Sequence, residues 1–214
     1  MNSDIADLRK EYSSRSLSET DIEPNPLIQF QNWWTEAINS RIDEVNAMTV
    51  ATASSDGMPA ARIMLLKGFD KNGFVFFTNY KSYKAMHLDE NPKACLVFFW
   101  KELERQVRIT GLINKIDDKD SDEYFLSRPL GSQVGAWTSP QSQVIESREW
   151  LENRYLQLTE QFKHQELKRP AYWGGYQLTP IIIEFWQGRP SRLHDRIQYS
   201  IMEDGNWKIE RLSP

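Results

Sequence analysis

MTVATASSDGMPAARIMLLKGFDKNGFVFFT, residues 48–78, alternates apolar runs with turn signals and decides the fold class. The run from Met48 to Ala53 ends at Ser54-Ser-Asp-Gly57. A second run, Ala60 to Lys67, ends at Asp70-Lys-Asn-Gly73, and a third covers Phe74 to Thr78. Runs of this length broken by Asp-Gly and Asn-Gly predict an antiparallel meander. Downstream, Ser82 to Glu90 predicts a short helix closed by Asn91-Pro92, because the residue before a proline is steered out of helical conformation. Strands are expected at Lys93 to Trp100 and Glu104 to Ile116, enough for a small barrel. Upstream, Asn25-Pro26 offers an N-cap and an N1 proline to a helix with Leu27, Phe30, Trp33, Trp34, Ala37, Ile38 and Ile42 at roughly helical spacing. Trp33 and Trp34 read as core residues of that helix. Beyond the meander come helices near Asp118 to Ser127 and Val144 to Phe162, a strand over Gln177 to Trp186, and a hairpin from Tyr199 to Leu212 turning at Asp204-Gly205. Periodicity alone gives a mixed, strand-rich α+β chain.

Composition narrows the function classes. A chain of 214 residues with 40% hydrophobic content can bury a substantial core and fits one domain better than two. Its longest clearly apolar run, Ala94 to Trp100, is far shorter than a membrane span, and Met1 to Lys10 is polar, so a cytoplasmic location is expected. The net charge of −4 argues against a protein that coats nucleic acid, though it leaves room for local basic pockets. The one cysteine, Cys95, lies in an apolar run and reads as a buried strand residue. The histidines have no zinc-site spacing, and neither a Walker-type loop nor G-x-G-x-x-G occurs.

The chemistry concentrates in Glu184-Phe-Trp-Gln-Gly-Arg-Pro-Ser-Arg-Leu-His-Asp-Arg-Ile197, where Arg189, Arg192 and Arg196 surround His194. Guanidinium forks suit phosphate or carboxylate, and imidazole titrates nearest neutrality, so the segment reads as an anion site holding a titratable group. A solvated basic hairpin would have the same composition. In an extended segment Arg192 and His194, two apart, would project to one side. On the strand after Glu104, Gln106 shares a face with Glu104, Arg108 and Thr110, opposite Val107 and Ile109. That face could meet a ligand or solvent. Arg62 and Lys67, five apart, can serve one site only if a bulge, strand end or edge breaks the alternation.

E-F-W-Q-G followed by R-L-H-D-R resembles the C-terminal signature of the pyridoxine (pyridoxamine) 5′-phosphate oxidases. The same family's motifs recur in order: R-K-E-Y at Arg9 to Tyr12, A-R-I-M-L-L-K at Ala61 to Lys67, F-F-T-N at Phe76 to Asn79, L-E-R-Q-V at Leu103 to Val107, Y-F-x-S-R-P at Tyr124 to Pro129, S-Q-x-G-A-W at Ser132 to Trp137, and W-G-G-Y at Trp173 to Tyr176. The resemblance covers nearly the whole chain. It implies an FMN-binding split β-barrel with surrounding helices over residues 25–214, a homodimer whose cofactor sites draw on both subunits, and residues 170–214 as the dimerisation and active-site segment. Residues 1–24 would form a flexible arm that folds over substrate.

The resemblance also implies roles. FMN would be held by Arg62, Ile63, Met64, Leu65, Leu66, Lys67, Phe77, Thr78, Tyr83, Lys84, Gln106, Gln141, Ser142, Trp186 and Arg196, with Arg62 and Lys84 on its phosphate. The substrate, pyridoxine 5′-phosphate or pyridoxamine 5′-phosphate, would meet Arg9, Lys10, Glu11, Tyr12, Lys67, Tyr124, Arg128, Ser132, Arg192, Leu193 and His194. Lys67, Tyr124, Arg128 and Ser132 would take its phosphate, with Tyr124 and Arg128 on one helical face if that helix persists. Arg192 and His194 would be the catalytic pair, and O2 would reoxidise the flavin to give H2O2. One departure stands out: Ser82-Tyr83-Lys84 replaces the family's usual Ser-Arg-Lys, which implies a missing cation and weaker FMN retention. The rival readings are another FMN oxidoreductase on the same scaffold, a non-catalytic binder of FMN or pyridoxal phosphate, and a nucleic-acid module. Arg128, Arg192 and His194 in their contexts speak against the first, release of peroxide discriminates the second, and the acidic balance speaks against the third.

Overall fold

The structure, a computed structural model, describes residues 11–13 and 15–214. Nine strands are found among them: β1 (Ala47–Ala53), β2 (Pro59–Leu65), β3 (Gly68–Asp70), β4 (Gly73–Asn79), β5 (Lys93–Trp100), β6 (Arg105–Lys115), β7 (Trp173–Gln187), β8 (Asp195–Ile201) and β9 (Trp207–Arg211). Five α-helices accompany them: α1 (Pro26–Asn39), α2 (Tyr83–Glu90), α3 (Asp118–Ser127), α4 (Leu130–Thr138) and α5 (Arg148–Gln161). The sheet runs β2-β1-β5-β6-β7-β4-β3, with β8 added to β7 and β9 to β8. The pairs β3–β4, β4–β7, β7–β8 and β8–β9 are antiparallel. The strand-rich α+β expectation holds. The chain divides into two compact units, one of residues 1–50, 95–111 and 180–214, the other of residues 51–94 and 112–179. Among the described residues, no helix is long and apolar enough to cross a membrane.

In the first unit α1 starts where Asn25 accepts the Leu27 N–H and Pro26 occupies the first turn. Its inner face buries Phe30, Trp33 and Ala37. Phe30 packs on Phe98 with ring centroids 5.3 Å apart, and Trp33 meets the edge of Phe185 at 5.1 Å. Each such side chain contributes about 1.5–3 kcal/mol on burial. The helix stops at Asn39, short of Ile42, and Arg41 follows in left-handed conformation. β7 and β8 set Trp186 opposite Arg196 and Gln187 opposite Asp195. The hairpin to β9 turns at Gly205, whose φ of +81° favours glycine.

In the second unit the meander forms as the turn signals dictate. Gly73 has φ +137°, and a Cβ there would lie 2.0 Å from the Leu178 carbonyl oxygen. β7 begins at Trp173, before the expected Gln177, because Gly174 and Gly175 are strand residues rather than breakers. A Cβ on Gly174 would meet the Tyr80 hydroxyl at 2.3 Å, and one on Gly175 would meet Ile116 Cδ1 at the same distance. The glycines admit close packing. Helix α4 has no counterpart in the periodicity reading, and α5 spans less than the expected Val144 to Phe162. Cys95, a first-unit residue, is half-buried rather than buried as expected, because alternation along β5 puts it on the face opposite the buried Ala94 and Leu96.

Candidate active site

The second unit contains a cavity of about 510 Å³ lined by Ile63, Met64, Leu65, Lys67, Phe77, Thr78, Asn79, Tyr124, Arg128, Pro129, Ser132, Gln141 and Trp173. Ten of these are residues singled out from the sequence, drawn from β2, β4, α3, α4, the gap between β2 and β3, the α3–α4 junction and the loop after α4. Strand β2 ends at Leu65, and the chain resumes as β3 at Gly68. That break resolves the parity question. Lys67 reaches the cavity from the gap, anchored by its N–H to the Val75 carbonyl at 2.8 Å, while Arg62 turns from β2 to Thr52 and donates to its hydroxyl at 2.9 Å. Leu66 is buried and is not among the lining residues.

Three parallel rings form one wall. Phe77 and Tyr124 stack with centroids 3.8 Å apart, and Trp173 lies 5.6 Å from Phe77 and 6.2 Å from Tyr124. The Arg128 guanidinium lies over the Trp173 ring at 4.5 Å. Arg128 is not on α3 with Tyr124. It caps the helix with ψ 152°, because Pro129 bars the helical conformation before it. Both side chains line the cavity all the same. The turn is pinned by Gln133, whose amide donates to the carbonyls of Leu126 and Arg128. Among the described residues Arg128 Nη1 is buried without a hydrogen-bond partner, and burial lowers the proton affinity of the guanidinium. An unpaired guanidinium N–H in a cavity that is also lined by Lys67 and Ser132 calls for an anion.

A second cationic point lies at the start of α2. Lys84, 5% exposed, donates to the hydroxyls of Thr78 at 2.9 Å and Ser82 at 3.2 Å. Burial, reinforced by the nearby charge of Arg62, pulls its ammonium down to about 8. Among the described residues, Lys67, Lys84 and Arg128 form no ion pair, so no described carboxylate compensates their charges. Thr78 also donates to Gln141, which is exposed, as is Ser142 in left-handed conformation (φ 69°). Tyr83 is 48% exposed and rests on His87 with centroids 4.5 Å apart.

The first unit gathers the other candidates around β7, β8 and the loop between them. Trp186 and His194 are in contact at 4.6 Å, and Tyr12 meets them at 5.9 and 6.1 Å. Tyr12 also lies on Gly188, where an added Cβ would come within 2.7 Å of its ring. The loop is not extended. Residues Pro190–Arg192 form a 3-10 turn with Ser191 and Arg192 both left-handed, so the two-residue alternation expected for Arg192 and His194 does not apply. Arg192 and Leu193 are exposed, whereas His194 is half-buried. Burial, with the charge of Arg192, lowers the proton affinity of His194 against an opposing pull from Asp195.

Arg196 is tied down by Glu184, with Nε and Nη2 each 3.0 Å from a carboxylate oxygen, and its Nη1 donates to the Ser213 carbonyl. Glu184 is only 2% exposed and takes a second ion pair from Arg108. Gln106 is half-buried on the same β6 face as Arg108, as alternation requires. Glu104 is not on that face: it is left-handed (φ 56°), buried, and accepts the Ser13 N–H. Of the arm, Glu11 is exposed, and Arg9 and Lys10 lie outside the described residues. Leu17 is buried, its N–H donating to Asp195 and its carbonyl accepting from Arg211.

Sequence reasoning missed Glu184, Gly188 and Trp173 as site residues. In the sequence Glu184 reads only as the start of the basic segment. Its signal is a carboxylate amid apolar strand residues, which must find a cationic partner to be buried.

A family model described as pyridoxamine 5′-phosphate oxidase matches residues 34–162, and one described as the pyridoxine 5′-phosphate oxidase C-terminal dimerisation region matches residues 173–214. The chain is 54% identical to a pyridoxine/pyridoxamine 5′-phosphate oxidase of Nostoc sp. over 214 residues, all of both chains. It is 53% identical to that of Cupriavidus metallidurans over 98% of this chain and 99% of the relative. Among solved structures it is similar to PhzG from Burkholderia lata in complex with tetrahydrophenazine-1-carboxylic acid (TM-score 0.87, 28% identity, 94% of this chain and 100% of that one). A pyridoxamine 5′-phosphate oxidase-related, FMN-binding protein of Nostoc punctiforme shares the fold (TM-score 0.69, 16% identity, 90% and 100% covered).

Proposed function

The chain belongs to the pyridoxine/pyridoxamine 5′-phosphate oxidase family, and on that premise we propose that it converts pyridoxine 5′-phosphate and pyridoxamine 5′-phosphate to pyridoxal 5′-phosphate, with FMN as cofactor and O2 as oxidant. The alcohol and O2 give aldehyde and H2O2; the amine also takes up water and releases ammonia. The observation that carries this reading is the cavity of the second unit, where the unpartnered Arg128 N–H joins Lys67, Tyr124 and Ser132. Two cations and two hydroxyls suit a phosphate dianion.

The donor set also fits FMN. Arg62 and Lys84 would take its phosphate, with Ser82 and Thr78 as neutral donors beside them, and the β2 segment from Ile63 to Lys67 would run along the ring with Phe77, Gln106, Gln141, Ser142, Trp186 and Arg196. When bound, FMN supplies a hydride acceptor that O2 can regenerate. The chain's own contribution is position and charge: Lys67, Tyr124, Arg128 and Ser132 fix the substrate phosphate, while Arg192 and His194 orient the reacting carbon and stabilise charge there. The arm, through Tyr12 and Glu11, would close over the substrate and limit water access. The C-terminal match supports a homodimer; in it each cofactor site would draw on both subunits.

The test is to give the FMN-loaded protein each substrate in air and follow pyridoxal 5′-phosphate and peroxide together. Equal yields of both establish the oxidase. Bound FMN with neither product leaves the flavin scaffold standing and overturns the oxidase.

A further inference from the structure

We propose that His194 acts as its neutral Nε2–H tautomer, a hydrogen-bond donor to an acceptor atom of the bound substrate, because the backbone N–H of Arg189 holds its Nδ1. The identity of the substrate rests on the reading above; the tautomer rests on the loop alone.

The loop is built to bring the imidazole back on its own start. Pro190 fixes one backbone angle, and the Leu193 N–H closes a turn onto the Pro190 carbonyl at 3.1 Å. Between them Ser191 and Arg192 adopt φ of 56° and 62°. Two successive left-handed residues, neither a glycine, are unfavourable by about 1–2 kcal/mol each and persist only where the surroundings impose them. Their effect is to reverse the chain, so that His194 Nδ1 accepts the Arg189 N–H at 3.1 Å. An amide N–H can only donate, so Nδ1 must present its lone pair, and the ring proton of the neutral form resides on Nε2. Trp186 and Tyr12 pack on the ring from β7 and the arm.

The charges around the ring leave this state undisturbed. Arg192 on the loop disfavours an imidazolium, as does burial. Asp195 pulls the other way, but its carboxylate is already engaged by the Leu17 N–H from the arm, by Arg211 from β9 and by the Arg189 guanidinium at 3.5 Å. An Nε2 that carries a proton cannot accept one from the substrate. His194 therefore binds and polarises, and the proton of the substrate's alcohol or amine leaves by another route.

The experiment is nitrogen NMR of the full-length, FMN-loaded protein labelled with 15N-histidine. The chain has only three histidines, so the His194 signals are identified by their loss in His194→Gln. The expected result near neutral pH is a protonated Nε2 and an unprotonated Nδ1; a protonated Nδ1, in either the other tautomer or the imidazolium, overturns the proposal. Kinetics supply the second arm. The Gln amide nitrogen reaches the place of Nε2, whereas that of Asn reaches only the place of Nδ1. His194→Gln should keep about tenfold more kcat/KM than His194→Asn, as one hydrogen bond is worth; equal losses overturn the donor role. The spectrum is read without turnover. A protein that shows Nε2–H but makes no pyridoxal 5′-phosphate therefore refutes the functional reading while supporting this one.

Discussion

The loop region of the first unit and the cavity side of the second treat their cations in opposite ways, although elsewhere in the second unit Arg169 pairs with Asp118 and Asp122. Around the loop of the first unit, Arg196 and Arg108 share Glu184, Arg105 pairs with Glu36, and Arg189 and Arg211 meet Asp195. In the second unit Lys67, Lys84 and Arg128 have hydroxyls, an aromatic face and a buried unsatisfied N–H, but among the described residues they have no carboxylate. A compensated arginine is a strut, which fixes neighbouring side chains at known places. A buried cation with no carboxylate among the described residues is a candidate anion site, because burying a charge without an opposite charge is costly. The contrast separates scaffold cations from ligand cations more sharply than residue type does.

Breaking the ligand side should have the largest effect on activity. Arg128→Met removes charge-assisted hydrogen bonds worth about 1.5–3 kcal/mol each, so kcat/KM for pyridoxamine 5′-phosphate should fall about a hundredfold or more while FMN stays bound. Steady-state kinetics beside flavin absorbance check both halves; an unchanged kcat/KM would show that the unpaired N–H serves no ligand. On stability the two sides should part in sign. Glu184→Gln leaves Arg196 and Arg108 without their counter-charge and should destabilise the FMN-free protein by about 3 kcal/mol, whereas Lys84→Met removes a buried uncompensated charge and should stabilise it by about 1 kcal/mol. Denaturant unfolding of the two variants tests this, and loss of stability in both would erase the distinction drawn between struts and sites.

Much of this was legible in the residues, and unevenly. Turn chemistry marked the meander and the Asp204-Gly205 hairpin, since Asp-Gly and Asn-Gly act locally. Capping marked the start of α1. Features that depend on distant partners were illegible by periodicity. The strand expected from Gln177 begins at Trp173, and the reason Gly174 and Gly175 belong to it is Tyr80 and Ile116, far away in sequence. Helix α4, with glycines at 131 and 135, lacks a regular apolar stripe. For the site, residue types and motif order marked the cavity residues, but the strand break that separates Arg62 from Lys67 and the left-handed pair in the loop are backbone events. Nothing in Ser191-Arg192 announces a positive φ.

The arm offers a smaller and more selective test. Gly188 has no Cβ where Tyr12 packs, so Gly188→Ala should push Tyr12 off Trp186 and His194. Substrate KM should rise about tenfold, with little change in stability, since the glycine's backbone conformation is open to alanine. The check is KM set beside the thermal midpoint; an unchanged KM would mean that Tyr12 has no part in holding substrate.

The smallest effects belong to the FMN phosphate side, and pH reads them directly. The folded Lys84 ammonium is depressed to about 8, and an anion beside it would raise that value. FMN should thus bind best below about pH 8 and progressively less well above it, with proton uptake on binding, because the free protein has then lost the charge the phosphate needs. Lys84→Met should abolish this dependence, which titrations of FMN against the FMN-free protein at several pH values would show. Tyr83→Arg should tighten FMN only a few-fold, less than a full charge-assisted bond. Position 83 is half-exposed on the surface of α2, where solvent screens an added guanidinium. A tightening of a hundredfold or more would instead place residue 83 directly on the phosphate and make Ser82-Tyr83-Lys84 a true loss of a ligand cation.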